Sequence, residues 1–142
     1  MNRIDLQKLA QARLDDASAL LSAGRWSGAY YLAGYALECG LKACLLRYIG
    51  DSTAVFGSDG YLKELSKCWT HDLVFLVKFA GLEADFTTAR GANSTLSVNW
   101  GVAKDWEELS RYEAKNESDA KTLYNAIADK PDGVFQWIVS HW

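Results

Sequence analysis

The stretch over residues 26–46 constrains this chain most, because only Glu38 and Lys42 are charged within it. It is about as long as a membrane span, but those two charges and three glycines, Gly28, Gly34 and Gly40, predict a buried core helix instead. A helix that is apolar on nearly every side has to be central, with other elements packed around it. The small residues Ala29, Ala33, Ala36, Gly40 and Ala43 recur at spacings of three and four. Such a stripe lets another helix approach closely, and that packing outweighs a helix cost of roughly 1 kcal/mol per glycine. Tyr31, Tyr35, Glu38 and Lys42 fall together on a different stripe of the same helix.

The flanking segments fit a helical domain. Residues 5–23 place Leu6, Ala10, Leu14, Ala17 and Leu21 on one helical face, and Gly24 supplies the stop. The central helix itself is expected over residues 27–49. Residues 51–70 are predicted as a loop with one turn near 61–67, after which Thr70 is expected to cap a short helix carrying Leu73, Leu76, Val77 and Ala80. Residues 83–92 look loop-like. Asn93 or Ser94 caps a helix with Leu96, Trp100 and Ala103 inside, and residues 106–116 read as helix or ordered loop. Ser118 is expected to open a terminal stretch carrying Leu123, Tyr124, Ile127, Val134, Trp137 and Ile138, with Pro131 imposing a kink or a division into two helices. No segment alternates with period two. The expected fold is therefore a single all-α domain over residues 1–142, an up-and-down bundle of four to five helices.

Composition narrows the function classes. The 142 residues include 15 basic and 18 acidic ones, for a net charge of −3, so no global basic surface exists for nonspecific nucleic-acid binding. A local basic groove is compatible with that balance. Cys39, Cys44 and Cys68 form no CxxC pair, and Cys39 and Cys44 point about 140° apart on a helix. They read as three buried thiols of a reducing, cytoplasmic protein. Charges at Arg3 and Asp5 leave no room for a signal peptide's apolar run. HExxH, paired Glu-x-x-His and Gly-rich phosphate-loop patterns are all absent from the sequence, so neither a metal site nor a cofactor is expected.

The chemistry-bearing residues are few. His71 stands beside Asp72 at an expected helix start, where a histidine is either structural or functional. His141 has little claim beyond favourable placement near a helix C-terminus. Glu38 and Lys42 are four apart in the favourable order, a pairing that contributes only about 0.2–0.5 kcal/mol on an exposed helix. In this apolar helix they are either a structural pair at a seam, with Tyr31 and Tyr35 satisfying the charges, or one wall of a polar cleft that Arg111 and His71 join.

The run from Gly24 to Ala43, with its Tyr30-Tyr31, Gly34-Tyr35 and Glu38 followed four residues later by Lys42, resembles helix two of the HEPN family (higher eukaryote and prokaryote nucleotide-binding domains). His71-Asp72-Leu73 before an apolar helix, and Trp106 through Arg111-Tyr112, are similar to bacterial members. The resemblance implies a helical bundle that dimerises. It also implies either a metal-independent RNase toxin paired with a nucleotidyltransferase-type antitoxin, or a module binding a nucleotide, RNA or a protein partner. Such RNases place His four to six residues after Arg, and here neither Arg90 nor Arg111 is followed by His at that spacing. The expectation is a non-catalytic or degenerate module with Tyr35, Glu38, Lys42, Arg111 and Tyr112 binding the ligand. The alternative is an RNase with a rearranged site, in which His71 is the acid–base group and Arg111 stabilises the phosphorane. The small-residue stripe and the eighteen aromatics further predict a homodimer through the central helix and part of the terminal helix.

Overall fold

One long central helix is wrapped by six shorter ones in the computed structural model, which describes residues 1–52 and 66–142. Helix α1 spans Arg3–Ser22 and opens with a capping box, in which Asn2 and Asp5 each accept the other's backbone N–H at 3.0 Å. Leu6, Ala10, Leu14 and Ala17 are buried as their spacing predicts. Gly24, at φ +70°, adopts the left-handed conformation that ends the helix.

Helix α2, Trp26–Ser52, is the expected core element, with Leu37, Leu41, Leu45 and Ile49 all buried. Its small-residue stripe serves the chain itself. Leu20 lies over Gly28, the Trp106 indole over Gly34 and Ile138 over Gly40. A Cβ at position 34 would stand 2.2 Å from the indole, so this close approach requires glycine. Ala29, Ala33, Ala36 and Ala43 are fully buried within one chain. The dimer interface expected from this stripe is therefore not available there: intramolecular helix packing already fills it.

Among the described residues there is no strand, and the all-α expectation holds with seven α-helices. A 3-10 turn covers Ser66–Trp69, while most of the turn expected over 61–67 lies outside the described residues. Helix α3, Leu73–Phe79, is capped by Asp72 rather than Thr70: the Asp72 carboxylate accepts the Phe75 N–H at 3.0 Å, and Thr70 Oγ1 accepts the Asp72 N–H at 3.2 Å. Residues expected as loop form α4, Glu83–Ala92. Acids in its first turn favour the helix dipole, and Phe86 packs on Trp100 and Trp137 with ring centroids 5.0 and 4.3 Å away. One core residue in ten leaves almost no periodic signal, so tertiary packing decides the segment.

Asn93 caps α5, Ser94–Ala103, accepting the Leu96 N–H at 3.1 Å. Within residues 106–116, Glu108–Tyr112 forms a second 3-10 turn. Asn116, not Ser118, opens α6, Glu117–Ala128, through a capping box with Asp119. The stretch divides around Pro131, and α7 spans Val134–Val139. The helix count exceeds four to five because residues 83–92 are helical and the terminal stretch is divided. Cys39 and Cys44 are buried, but Cys68 is only half-buried, since it sits in the short turn after the core helix has ended. No helix of the described residues is long and apolar enough to cross a membrane.

Candidate functional site

The polar stripe of α2 is where the remaining chemistry gathers. Glu38 is 1% exposed, and Lys42 Nζ donates to its Oε1 at 2.6 Å. The same oxygen accepts a second hydrogen bond, from His71 Nδ1 at 2.9 Å. A carboxylate only accepts, so this contact assigns the proton to Nδ1 and leaves Nε2 as the outward-facing nitrogen. The Asp72 cap fixes where α3 starts and so holds His71, the residue before the cap, against Glu38 of α2.

His71 Nε2 lies 3.7 Å from Glu108 Oε2, too long for a hydrogen bond but within ion-pair range. The other oxygen of Glu108 pairs with Arg111 Nη1 at 2.7 Å. Arg111 lies beside Tyr31 and over the Tyr112 ring, 4.9 Å from its centroid. Desolvation lowers the pKa of this guanidinium, but the Glu108 carboxylate and the two tyrosines outweigh it and hold the pKa above its ordinary value. Glu108 and Arg111 owe their position to Trp106, whose indole is 2% exposed and rests on Gly34. A line of polar side chains thus runs Lys42, Glu38, His71, Glu108, Arg111, in hydrogen-bond contact at every step except His71 to Glu108.

Two clefts flank this chain. The first, of about 560 Å³, lies between the start of α3 and residues 104–109, and it brings together His71, Asp72, Lys104, Asp105, Glu107 and Glu108. Four carboxylates there face one lysine, which itself lies 4.0 Å from Asp105. The second, of about 380 Å³, lies between α1, α2 and the Ser66–Trp69 turn, with Leu6, Leu9, Leu46 and Trp69 against Tyr35, Glu38 and Lys42. Cys39 stands in its wall, where burial first and the Glu38 charge second push its thiol up to about 11, an unreactive state at neutral pH. Burial likewise raises the Tyr35 hydroxyl.

Of the residues singled out in the sequence, Glu38, Lys42 and His71 meet directly, and Arg111 joins them through Glu108. Tyr31 stacks on Tyr35 with centroids 6.0 Å apart. The ion pair is completed by His71 rather than by the tyrosines expected there: Glu38 Oε1 accepts from Lys42 and His71, while Tyr31 packs on Tyr35 and on Trp106, the latter with centroids 5.9 Å apart. Tyr112 is 76% exposed and lines neither cleft. Sequence reasoning missed Glu108. Its signal is the Glu108-x-x-Arg111 spacing just after Trp106, a turn-length ion pair next to a large core anchor.

Compared with known proteins, residues 5–129 match the family model of the HEPN domain. No curated protein and no solved structure matches the chain.

Proposed function

Because the chain belongs to the HEPN domain family, we propose that it is a non-catalytic HEPN module whose cleft at His71 binds a basic segment of a protein partner. One observation carries this reading: the cations near the cleft are already held by carboxylates, Lys42 by Glu38 and Arg111 by Glu108, while Asp72, Asp105 and Glu107 add further negative charge. Two unit charges 4 Å apart interact by about 1 kcal/mol in water and about 4 kcal/mol near a protein surface, so several carboxylates repel a phosphodiester and attract arginine or lysine. Of the three ligand classes open in the sequence, RNA and nucleotide are disfavoured at this cleft and a protein is favoured. A nucleotidyltransferase-type antitoxin that presents a basic segment fits the reading, as part of a toxin–antitoxin or defence pair in the cytoplasm. A homodimer also belongs to the proposal. Its face would be the exposed apolar residues Val74, Phe75 and Leu109 rather than the small-residue stripe.

Fluorescence anisotropy with a labelled oligo-arginine peptide and a labelled single-stranded RNA tests the proposal. The peptide should bind, weaken as salt screens the carboxylates, and lose about tenfold in affinity to Glu107→Lys, while the RNA stays free. RNA binding in place of peptide binding would overturn it. A second reading, the metal-independent RNase with a rearranged site, is supported by the Glu38–His71 contact. A buried carboxylate that holds Nδ1–H orients Nε2 as an acid–base atom, and Glu108 bridges that nitrogen to Arg111 much as a phosphate would. RNA cleavage that disappears in His71→Ala would establish this second reading and end the first.

A further inference from the structure

The contact that fixes the His71 tautomer also sets a conflict on the other side of the ring. In the neutral imidazole, Nδ1–H donates to Glu38 Oε1 at 2.9 Å, so Nε2 carries a lone pair. That nitrogen stands 3.7 Å from Glu108 Oε2, so two acceptors meet with no proton between them. A proton added at Nε2 makes the two a donor and an acceptor, and the charged ring then holds a carboxylate on each side. The gap exceeds hydrogen-bond length by about 0.5–1 Å, a distance that side-chain rotation closes. Histidine is the side chain whose charge ordinarily changes between about pH 5 and pH 8, and the His71 side chain is 46% exposed, so solvent supplies the proton.

Charges face the ring from α2, from the start of α3 and from the connection over residues 104–111. Helix α2 supplies Glu38, balanced by Lys42, and Asp72 adjoins the ring in the chain. The connection supplies Glu108, balanced by Arg111, with Lys104, Asp105 and Glu107 around the same cleft. Carboxylates, lysines and arginines ordinarily keep their charge across that pH range, so the ring is the part that changes.

We propose that His71 is a proton-operated latch on the acidic cleft. When protonated, its Nε2–H draws in the Glu108 carboxylate and ties the connection to α2 and α3. The cleft then carries one more positive charge and offers one fewer carboxylate oxygen, so its hold on a basic segment weakens. Loss of the proton restores the open, more acidic cleft. The weakening rests on the peptide-binding reading, whereas the closure rests on the His71 geometry alone.

Nuclear magnetic resonance of the full chain tests the closure. His71 and His141 are the only histidines, so His71→Asn assigns the ring signals, and its amide keeps a donor for Glu38. At about pH 7.5 the His71 ring should carry its proton on Nδ1, and at about pH 5.5 on both nitrogens. The backbone amides of Glu108 and Arg111 should shift with the same midpoint as the ring, and Glu108→Gln should uncouple them. A proton on Nε2 at the higher pH, a ring unchanged over that range, or amides that do not follow the ring would each overturn the latch. Anisotropy with labelled oligo-arginine tests the consequence: affinity should fall about tenfold at the lower pH in the native chain and stay level in His71→Asn. Equal falls in both chains would overturn the role of His71. A peptide that binds at neither pH ends the peptide-binding reading alone, and the coupled shifts still decide the latch.

Discussion

The cleft at His71 is walled by four carboxylates carried largely on the connection over residues 104–109, whereas the cleft under Trp69 is walled by three leucines of α1 and α2 together with Tyr35, Cys39, Trp69 and the Glu38–Lys42 pair. Glu38 links the two: it lines the second directly and reaches the first through His71. The difference follows from what builds each side. Two packed helices present their apolar faces to one another, and a gap between those faces inherits their apolar character. A connection that runs over the surface carries polar side chains, and it stays in place through one large anchor, the Trp106 indole on Gly34. The recognition proposed for the first cleft is electrostatic and is therefore expected to be salt-sensitive.

Trp106→Ala is the strongest way to separate the two. Removing a fully packed indole is expected to lower stability by about 3–5 kcal/mol, read from urea denaturation, and to release Glu108 from His71. Peptide binding should vanish while the helical circular-dichroism signal of α1 and α2 persists. Loss of both together would mean that the connection and the two helices fold as one unit.

Lys42→Ala acts on the shared wall instead. It leaves Glu38 buried with only His71 on Oε1, and the expected loss is about 3 kcal/mol, the lower end of what breaking a buried pair costs, because His71 retains part of the pairing. Lys42→Arg should recover most of it. A loss well under about 1 kcal/mol would place the pair with exposed ion pairs and remove Glu38's structural role.

The smallest effect is alkaline. Burial raises the Cys39 thiol to about 11 and the Cys44 thiol to about 12, against an ordinary value of 9.0. Above that ordinary value the unfolded chain releases these protons while the folded chain keeps them. Their contribution is thus complete below about pH 9 and declines as pH rises, by up to about 1.4 kcal/mol per pH unit for each thiol. Denaturation midpoints should fall from about pH 8 to about pH 10, and Cys39→Ala with Cys44→Ala should flatten that fall. An equal slope in the double variant would assign the loss to other groups, first the half-buried Tyr30 and Tyr35, whose hydroxyls burial also raises.

Much of this architecture was legible in the residues. The Glu38–Lys42 spacing on an apolar helix, the α1 stripe, the Asn93 cap and the division at Pro131 are local patterns, and local patterns survive folding. The misses share a cause. Helix α4 depends on Phe86 meeting Trp100 and Trp137, the destination of the small-residue stripe depends on Leu20, Trp106 and Ile138, and the role of Glu108 depends on Trp106 reaching Gly34. Apart from Leu20 on Gly28, which crosses the short α1–α2 turn, each is a contact between distant parts of the chain, invisible to any short window. Asp72 and Asn116 displaced the expected Thr70 and Ser118 because a cap must sit directly before the first helical residue, and both neighbours were plausible donors of an oxygen.

The seating of Trp106 on Gly34 also sets an order of events. Helices α1 and α2 are neighbours in the chain and close early, since contacts over short loops lose little entropy. The connection bearing Glu108 and Arg111 docks only onto an α2 that already exists. The same connection has mostly exposed polar side chains around Trp106, so it is expected to open at a lower free energy than α1 and α2. Amide exchange over residues 106–112 that is faster than in α1 and α2 would report this directly. A partner that grips the acidic cleft would then slow exchange there, and binding would be felt as the closing of a connection that otherwise opens more readily than the helices it crosses.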